Sequence, residues 1–256
     1  MTARAVAPAG EHARSEQPGP ARARLLVVVA VPAEAEAVLR GLPGGAAARP
    51  LPGGGLHRCQ AAPVDVLAGG VGPAAAAAAA SAALAAHRYG LVVSAGIAGG
   101  FAPHAPVGAT VVADAILAAD LGADTPEGFA DVTELGFGTV RHTPPPAAVA
   151  LAAKALGTLG AVTGPVLTVS TVTGSAERAA ALAARHPGAA AEAMEGFGVA
   201  EAAARHGVPV LELRTVSNPV GPRDRAAWRI GEALAALERA FAALPVPELI
   251  EEAGRG

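Results

Sequence analysis

The sequence predicts an α/β fold, a central mixed, mainly parallel sheet flanked by helices. Three observations carry that prediction. Short continuous apolar runs such as Leu25 to Val31 alternate with helix-forming stretches along most of the chain, as buried parallel strands and their crossover helices require. Aromatic residues are only 3% of a chain that is 52% hydrophobic. The core must therefore be built from Ala, Val and Leu, and helices of small side chains can lie close against a sheet. At 256 residues the chain is long enough for one sizeable core, so a single domain over 25–243 is expected.

The elements follow in order. Residues 1–24 carry Pro, Gly, Arg, Glu and Ser with no apolar period and read as a disordered leader. Arg14, Glu16, Arg22 and Arg24 leave no apolar stretch for a secretory signal, and Glu11 and Glu16 argue against a transit peptide. A strand spans 25–31, and Pro32 opens a helix to about Arg40, where its missing N–H costs nothing. Gly-rich residues 43–55 read as a turn, followed by short strands near 56–61 and 64–68. The alanine run from Pro73 to His87 is helical by propensity. Strands follow at 91–94 and 109–117. Residues 120–145, rich in Gly, Asp, Thr and Pro, read as a long loop, and such loops in compact domains are functional or disordered. Then come a helix near 146–157, a strand at 166–169 and a helix capped by Ser175. A strand at 189–193, a helix at 195–206, a strand at 208–216 and a last helix over 225–243 complete the fold. Residues 244–256 form a short polar tail.

Composition excludes several classes of function. Charged residues are 16% and the formal net charge is −3, which gives no electrostatic reason to expect nucleic acid or an anionic membrane as partner. Cys59 is the single cysteine, so there is no disulfide framework and no cysteine-cluster zinc site. Mean hydropathy is +0.41, yet no run of about 20 purely apolar residues occurs, and a cytoplasmic location is expected. His57, His87, His104, His142, His186 and His206 are scattered without an H-x-x-x-H pair. No metal and no organic cofactor is expected.

In open α/β sheets ligands bind at the carboxyl ends of strands. Those positions hold Glu34, the turns Gly69-Gly70-Val71-Gly72 and Gly96-Ile97-Ala98-Gly99-Gly100, and Ser217-Asn218. A carboxylate and two glycine turns at one sheet edge fit a small-molecule pocket. Plain connections, and a helix-start Glu that balances the helix dipole, would look the same. Neither G-x-G-x-x-G nor G-x-x-x-x-G-K-[ST] is present.

The order of motifs is informative. Val29-Ala30-Val31-Pro32-Ala33-Glu34, the two glycine turns, Ala193-Met194-Glu195 and Arg214-Thr215-Val216-Ser217-Asn218 resemble the purine nucleoside phosphorylase/nucleosidase superfamily over about 25–243. Asp120 to Phe129, Glu134 to Gly138, and Ser217 to Asp224 with Trp228 resemble a hydrolytic branch of it that acts on a hypoxanthine nucleoside. The resemblance implies a nucleoside phosphorylase-like fold, cleavage of an N-ribosidic bond, and a homo-oligomer, dimer or higher. Phe101, Phe129 and Phe137 are the apolar groups available for its interface. It further implies that Glu34 activates water, with Glu36 the competing candidate, and that Glu195 holds the ribose hydroxyls while Met194 lies against the sugar. Gly72, Ala98 and Gly99 would line the substrate.

Chemistry agrees with these roles. Cleavage passes through a cationic sugar, which needs a negative neighbour and a positioned water. Asn218 stands where the superfamily's adenine nucleosidases carry Asp. An amide is no general acid, but it donates and accepts at once, which suits a 6-oxopurine. Asp224 is the remaining candidate for protonating the base, or it caps the last helix. Arg223, Arg225 and Arg229 flank Trp228, either as a solvated face or as cations for a carboxylate on the substrate. Gly72 is followed by Pro73, Ala74 and Ala75, and Ser94 rather than Arg precedes Ala95-Gly96. A phosphate dianion would lack charge-assisted partners, so hydrolysis is expected over phosphorolysis. A methylthioadenosine/S-adenosylhomocysteine nucleosidase, a phosphorylase and a non-catalytic nucleoside-binding protein remain the alternatives.

Overall fold

The computed structural model describes residues 23–51 and 54–255. Residues 1–22 of the expected leader lie outside them. Arg24 does not belong to a leader, because it opens the first strand.

Strand β1 (Arg24–Val29) leads into α1 (Pro32–Gly41), and β2 (Ala46–Leu51), β3 (Gly54–Cys59) and β4 (Val64–Ala68) follow. Next come α2 (Pro73–Ala86), β5 (Tyr89–Gly100) and β6 (Thr110–Ala118), then the short strands β7 (Gly122–Thr125), β8 (Gly128–Asp131) and β9 (Arg141–His142). The second half runs α3 (Pro146–Ala155), β10 (Ala161–Thr168), α4 (Ala176–Arg185), β11 (Ala191–Ala193), α5 (Gly196–Arg205), β12 (Val210–Pro219), α6 (Ile230–Ala243) and α7 (Val246–Ala253).

The main sheet has the order β11-β10-β6-β12-β5-β1-β4-β3-β2. Its centre, β4-β1-β5-β12, is parallel, as is β6-β10-β11. The two runs meet through the antiparallel pair β12–β6, and β2–β3–β4 is an antiparallel margin. The sheet is mixed, with parallel pairing where the site is built. At Gly99 and Gly100 the end of β5 also pairs with β11, so β5, β12, β6, β10 and β11 close on themselves. That closure brings the ends of β5, β11 and β12 together.

Side chains of β1 alternate between two cores. Leu26 and Val28 face a layer containing α2 and α5, while Leu25, Val27 and Val29 face α1, α3, α6 and α7. In α2 the buried alanines 76, 79, 80 and 83 form one stripe at helical spacing. The alanine run is thus a packing surface against α5 and the sheet.

Four local expectations differ from the structure. Residues 46–51 form an edge strand hydrogen-bonded to β3 where a turn was expected. The 120–145 segment contains the β7–β8 hairpin and β9, which pairs with β6. The last long helix starts at Ile230, preceded by one 3₁₀ turn over Arg225–Ala227. The polar tail contains α7, whose Val246, Leu249 and Ala253 are buried against the core. Of the three phenylalanines offered for an interface, Phe101 is buried within the chain and Phe129 lies under the Arg185 guanidinium, 4.2 Å from its ring centroid. Phe137 alone is fully presented, 82% exposed. Among the described residues no helix is long and apolar enough to cross a membrane.

Candidate active site

Glu34 sits at the third position of α1, directly after β1, and turns back on its own helix start. Its Oε2 accepts hydrogen bonds from the N–H groups of Ala30 (2.9 Å) and Val31 (3.3 Å), and its Oε1 accepts from Ile97 N–H (2.9 Å). Capping and chemistry are therefore one geometry: the carboxylate serves the helix start and stands at the strand ends. Gly96 makes room for it. A Cβ built there would lie 2.5 Å from Glu34 Oε1 and 3.0 Å from Arg214 Nη1, and the residue's φ is +152°, so glycine is required twice over. Glu36, the competing candidate, is exposed.

Glu195 ends the β11 connection and starts α5. Its Oε1 accepts from Gly72 N–H (3.2 Å), and its Oε2 accepts from Met194 N–H (3.3 Å) and from Arg214 Nη1 (3.4 Å). Arg214 is 1% exposed and fully engaged. Nε donates to Glu212 Oε1 (2.9 Å) and Nη2 to Ser94 Oγ (3.0 Å). Ser94 is thus a partner of Arg214 and unavailable to a phosphate. The single contact between Arg214 and Glu212 uses Oε1 and leaves Glu212 Oε2 buried without a hydrogen-bond partner.

These groups surround a cavity of about 370 Å³ whose wall includes Glu34, Glu192, Glu195, Met194, Asn218 and Trp228. Ala98, Gly99 and Ser217 also line it. Gly72 contributes its N–H to Glu195 from just outside. Asn218 Oδ1 accepts from Ser217 Oγ (2.8 Å) and Nδ2 donates to Pro219 O (3.0 Å), which leaves one lone pair and one N–H for a ligand. Gly99 lets this end of β12 approach: a Cβ there would be 3.0 Å from Val220 Cγ2 and 3.4 Å from Asn218 Nδ2.

Asp224 does not join the site. It is exposed, and its Oδ1 accepts from Ala226 N–H (3.1 Å), capping the 3₁₀ turn. It caps that turn and not the last long helix, which starts after Arg229, and it is not among the residues that line the cavity. Glu192 was not singled out from sequence. Its two oxygens accept from Thr173 N–H (2.8 Å) and from Thr173 Oγ1, which fixes the 170–174 segment as a wall of the cavity. Only a lone Glu among alanines marks it in the chain.

Burial pushes the Glu34 carboxyl above the ordinary 4.5, opposed in turn by Ile97 N–H, the Arg214 charge, Ala30 N–H and Val31 N–H. Burial likewise pushes Glu212 up, opposed by Arg214 and reinforced by Glu195. A base with a raised pKa is better matched to proton transfer near neutrality. The lining residues include three carboxylates and no Lys, Arg or His. Such a wall favours a developing cation and disfavours a phosphate dianion.

The chain belongs to the phosphorylase superfamily, whose sequence model matches residues 24–251. Within it, a futalosine hydrolase from Streptomyces coelicolor is 65% identical over 230 residues, 88% of this chain and 96% of that protein. A futalosine hydrolase from Acidothermus cellulolyticus is 51% identical over 221 residues, 86% of this chain and 89% of that protein. Among solved structures, a 5′-methylthioadenosine/S-adenosylhomocysteine nucleosidase from Colwellia psychrerythraea 34H in complex with adenine has the same fold. Its TM-score is 0.75 at 25% identity, covering 91% of this chain and 97% of that one.

Proposed function

We propose that the chain is a futalosine hydrolase, splitting the N-ribosidic bond of futalosine into hypoxanthine and dehypoxanthine futalosine in menaquinone biosynthesis. Its likeness at 65% identity to a futalosine hydrolase supports the substrate. The observation that carries the chemistry is the cavity wall: Glu34, Glu192 and Glu195 with no cation among the residues that line it. The hydrolytic branch that the 120–138 loop and the C-terminal segment resemble is that of the futalosine hydrolases.

In this reading a water lies near Glu34, whose raised pKa suits it to accept the water's proton. Glu195, steadied by Gly72 N–H and Arg214, accepts hydrogen bonds from the ribose hydroxyls. Those bonds strengthen as positive charge grows on the sugar. Met194 packs its thioether against the ribose. Arg214 neutralises part of the carboxylate cluster from behind, leaving the cavity face negative. Asn218 offers its free lone pair and N–H to the 6-oxopurine edge. A module that only bound nucleosides would have no use for a base held against the turn that the ligand contacts. The enzyme acts in the cytoplasm as a homo-oligomer, and exposed Leu121, Leu135 and Phe137 on the 121–137 segment support such an interface.

The test is a substrate panel of futalosine, inosine and methylthioadenosine, with and without phosphate, in which free base is followed by chromatography. Hypoxanthine release from futalosine at a rate independent of phosphate is expected. Adenine release from methylthioadenosine without turnover of futalosine would overturn the reading.

A further inference from the structure

We propose that Glu192 is a specificity-determining residue, its carboxylate accepting the N1–H of a 6-oxopurine while Asn218 meets the O6 and N7 edge of the same base. The proposal rests on the nucleoside-hydrolase reading above and gives a role to the lining carboxylate that the hydrolytic step leaves unused.

The strand ends divide the cavity into two stations along β5. At Gly96 stand Glu34, Arg214 and, through Arg214, Glu195. Gly99 lies three residues further along the strand, about 10 Å at the rise of a strand. There β5 is paired on one side with Glu192 of β11 and on the other with Asn218 of β12. Residues directly opposite on neighbouring strands share a face. Glu192, Gly99 and Asn218 all line the cavity, and a Cβ built on Gly99 would lie 3.4 Å from Asn218 Nδ2. Carboxylate and amide therefore rise from one face with a glycine between them, their Cα atoms about 10 Å apart across two strand spacings. A flat ring seated over Gly99 has the carboxylate at one edge and the amide at the other, with Val172 and Val220 as apolar walls.

The polarity of this station is set by the contact between Glu192 and Thr173. Glu192 is buried, its Oε1 accepting from Thr173 N–H (2.8 Å) and its Oε2 from the Thr173 hydroxyl. Both bonds run toward the carboxylate, and each oxygen keeps a second lone pair. The same contact consumes the donors of the wall, because Thr173 also lines the cavity and turns its N–H and its O–H to Glu192. An acceptor nitrogen brought here, such as N1 of a 6-aminopurine, meets lone pairs. The N1–H of a 6-oxopurine meets an acceptor already fixed by two bonds, in a buried place where a charge-assisted bond is strong.

The experiment measures binding of hypoxanthine, 1-methylhypoxanthine and adenine by calorimetry, with hydrolysis of futalosine alongside, in wild type, Glu192→Gln and Thr173→Val. Wild type should bind hypoxanthine about tenfold or more tightly than 1-methylhypoxanthine, which keeps O6 and N7 and lacks the N1–H. Glu192→Gln keeps the size of the side chain and supplies an N–H for position 1. Its hypoxanthine-to-adenine affinity ratio should fall about tenfold, with adenine bound more tightly than by wild type. Thr173→Val removes one of the two bonds that hold the wall and should weaken both bases alike, leaving the ratio near that of wild type. A Glu192 that only fastened the wall would give Glu192→Gln the same uniform loss at an unchanged ratio, and that result would overturn the proposal. Equal affinity of wild type for hypoxanthine and its 1-methyl derivative would overturn it without any variant. Futalosine hydrolysed by wild type alongside either result leaves the hydrolase reading intact. No turnover of futalosine by wild type would overturn that reading, and the proposal with it.

Discussion

Two clusters of buried carboxylates and arginines lie at opposite ends of the parallel strands, and they behave oppositely. At the amino end Asp65, fully buried, accepts from Arg24 (2.6 Å), Arg58 (2.9 Å) and the Tyr89 hydroxyl (2.9 Å). Two cations serve one carboxylate, so despite burial, which alone would raise it, Asp65 is held below 3.8 by Arg58, Arg24 and Tyr89. The Tyr89 hydroxyl responds in the other direction, raised by burial and by Asp65. At the carboxyl end three carboxylates, Glu34, Glu195 and Glu212, share Arg214 as their one cation among the described residues. There Glu34 and Glu212 are pushed up. A cluster with surplus cation is a fastener between β1, β3, β4 and β5. A cluster with surplus carboxylate is poised to lose or gain a proton and to face a cation.

The largest separation of the two ends should come from Glu195→Ala. Removing a preorganised electrostatic partner of the transition state costs about 10²–10³ in kcat, so futalosine turnover should collapse while circular dichroism keeps its native signature. A variant that loses stability and keeps its turnover per folded molecule would make Glu195 a fastener like Asp65.

Asp65→Asn should do the reverse. It leaves Arg24 and Arg58 facing a neutral group, and breaking a buried pair from one side costs about 3 kcal/mol, a fall in Tm of about 6–12 °C at this size. kcat/KM of the folded variant should stay near wild type. The pH dependence has opposite signs at the two ends. Asp65, lowered in the folded protein, contributes stability above its unfolded pKa of about 3.8 and loses it as pH falls through the lower folded value. Glu34 and Glu212, raised, favour the folded state fully below about 4.5 and lose that contribution as pH rises through their folded values. Thermal melts of Asp65→Asn should therefore converge on wild type at acid pH, and divergence there would contradict the assignment.

Asn218→Asp should have the smallest effect, a change of preference. Wild type should favour the 6-oxopurine over its 6-amino analogue by about tenfold, because an unpaired buried polar group costs roughly 1–3 kcal/mol. The variant should narrow or reverse that ratio. Equal kcat/KM for both bases in wild type would show that Asn218 does not read position 6.

The carboxyl-end candidate site was legible because its residues stand at strand ends: Glu34 and Glu195 lie just past β1 and β11, and Asn218 is the last residue but one of β12, where local sequence and topology agree. Arg214 was visible as part of a motif, but its partners were not. Glu212 and Arg214 interrupt an apolar strand at i and i+2, on one face of β12, and that spacing signals a buried pair that the motif alone did not. The Asp65 fastener joins residues 41 positions apart (Arg24) and 24 apart (Tyr89), beyond any local pattern. Strand β2 escaped because Ala46 to Leu51 follows Gly44-Gly45 and carries Pro50, which read as a turn, and only pairing with β3 makes it a strand. In α7 the stripe 246, 249, 253 was present, but Glu248, Glu251 and Glu252 between its members read as a polar tail. Asp224, in the loop that leads to Trp228, caps the 3₁₀ turn and stands outside the cavity lining, a placement that its position in the sequence does not reveal.

The most direct measurement of the whole account is the pH–rate profile of hypoxanthine release from futalosine by wild type and Glu34→Gln. Gln keeps one acceptor oxygen and turns an N–H toward the donors of Ala30, Val31 or Ile97, so a modest loss of Tm is expected alongside the chemical defect. Loss of a general base costs ~10²–10⁴ in rate. Wild-type kcat/KM should fall on the acid side through a pKa above 4.5, the direction in which burial moves Glu34, and the folded variant should show that loss of rate with the acid limb gone. A folded Glu34→Gln enzyme with near wild-type turnover and an unchanged acid limb would contradict the assignment of the base and, with it, the reading of the carboxyl-end cluster.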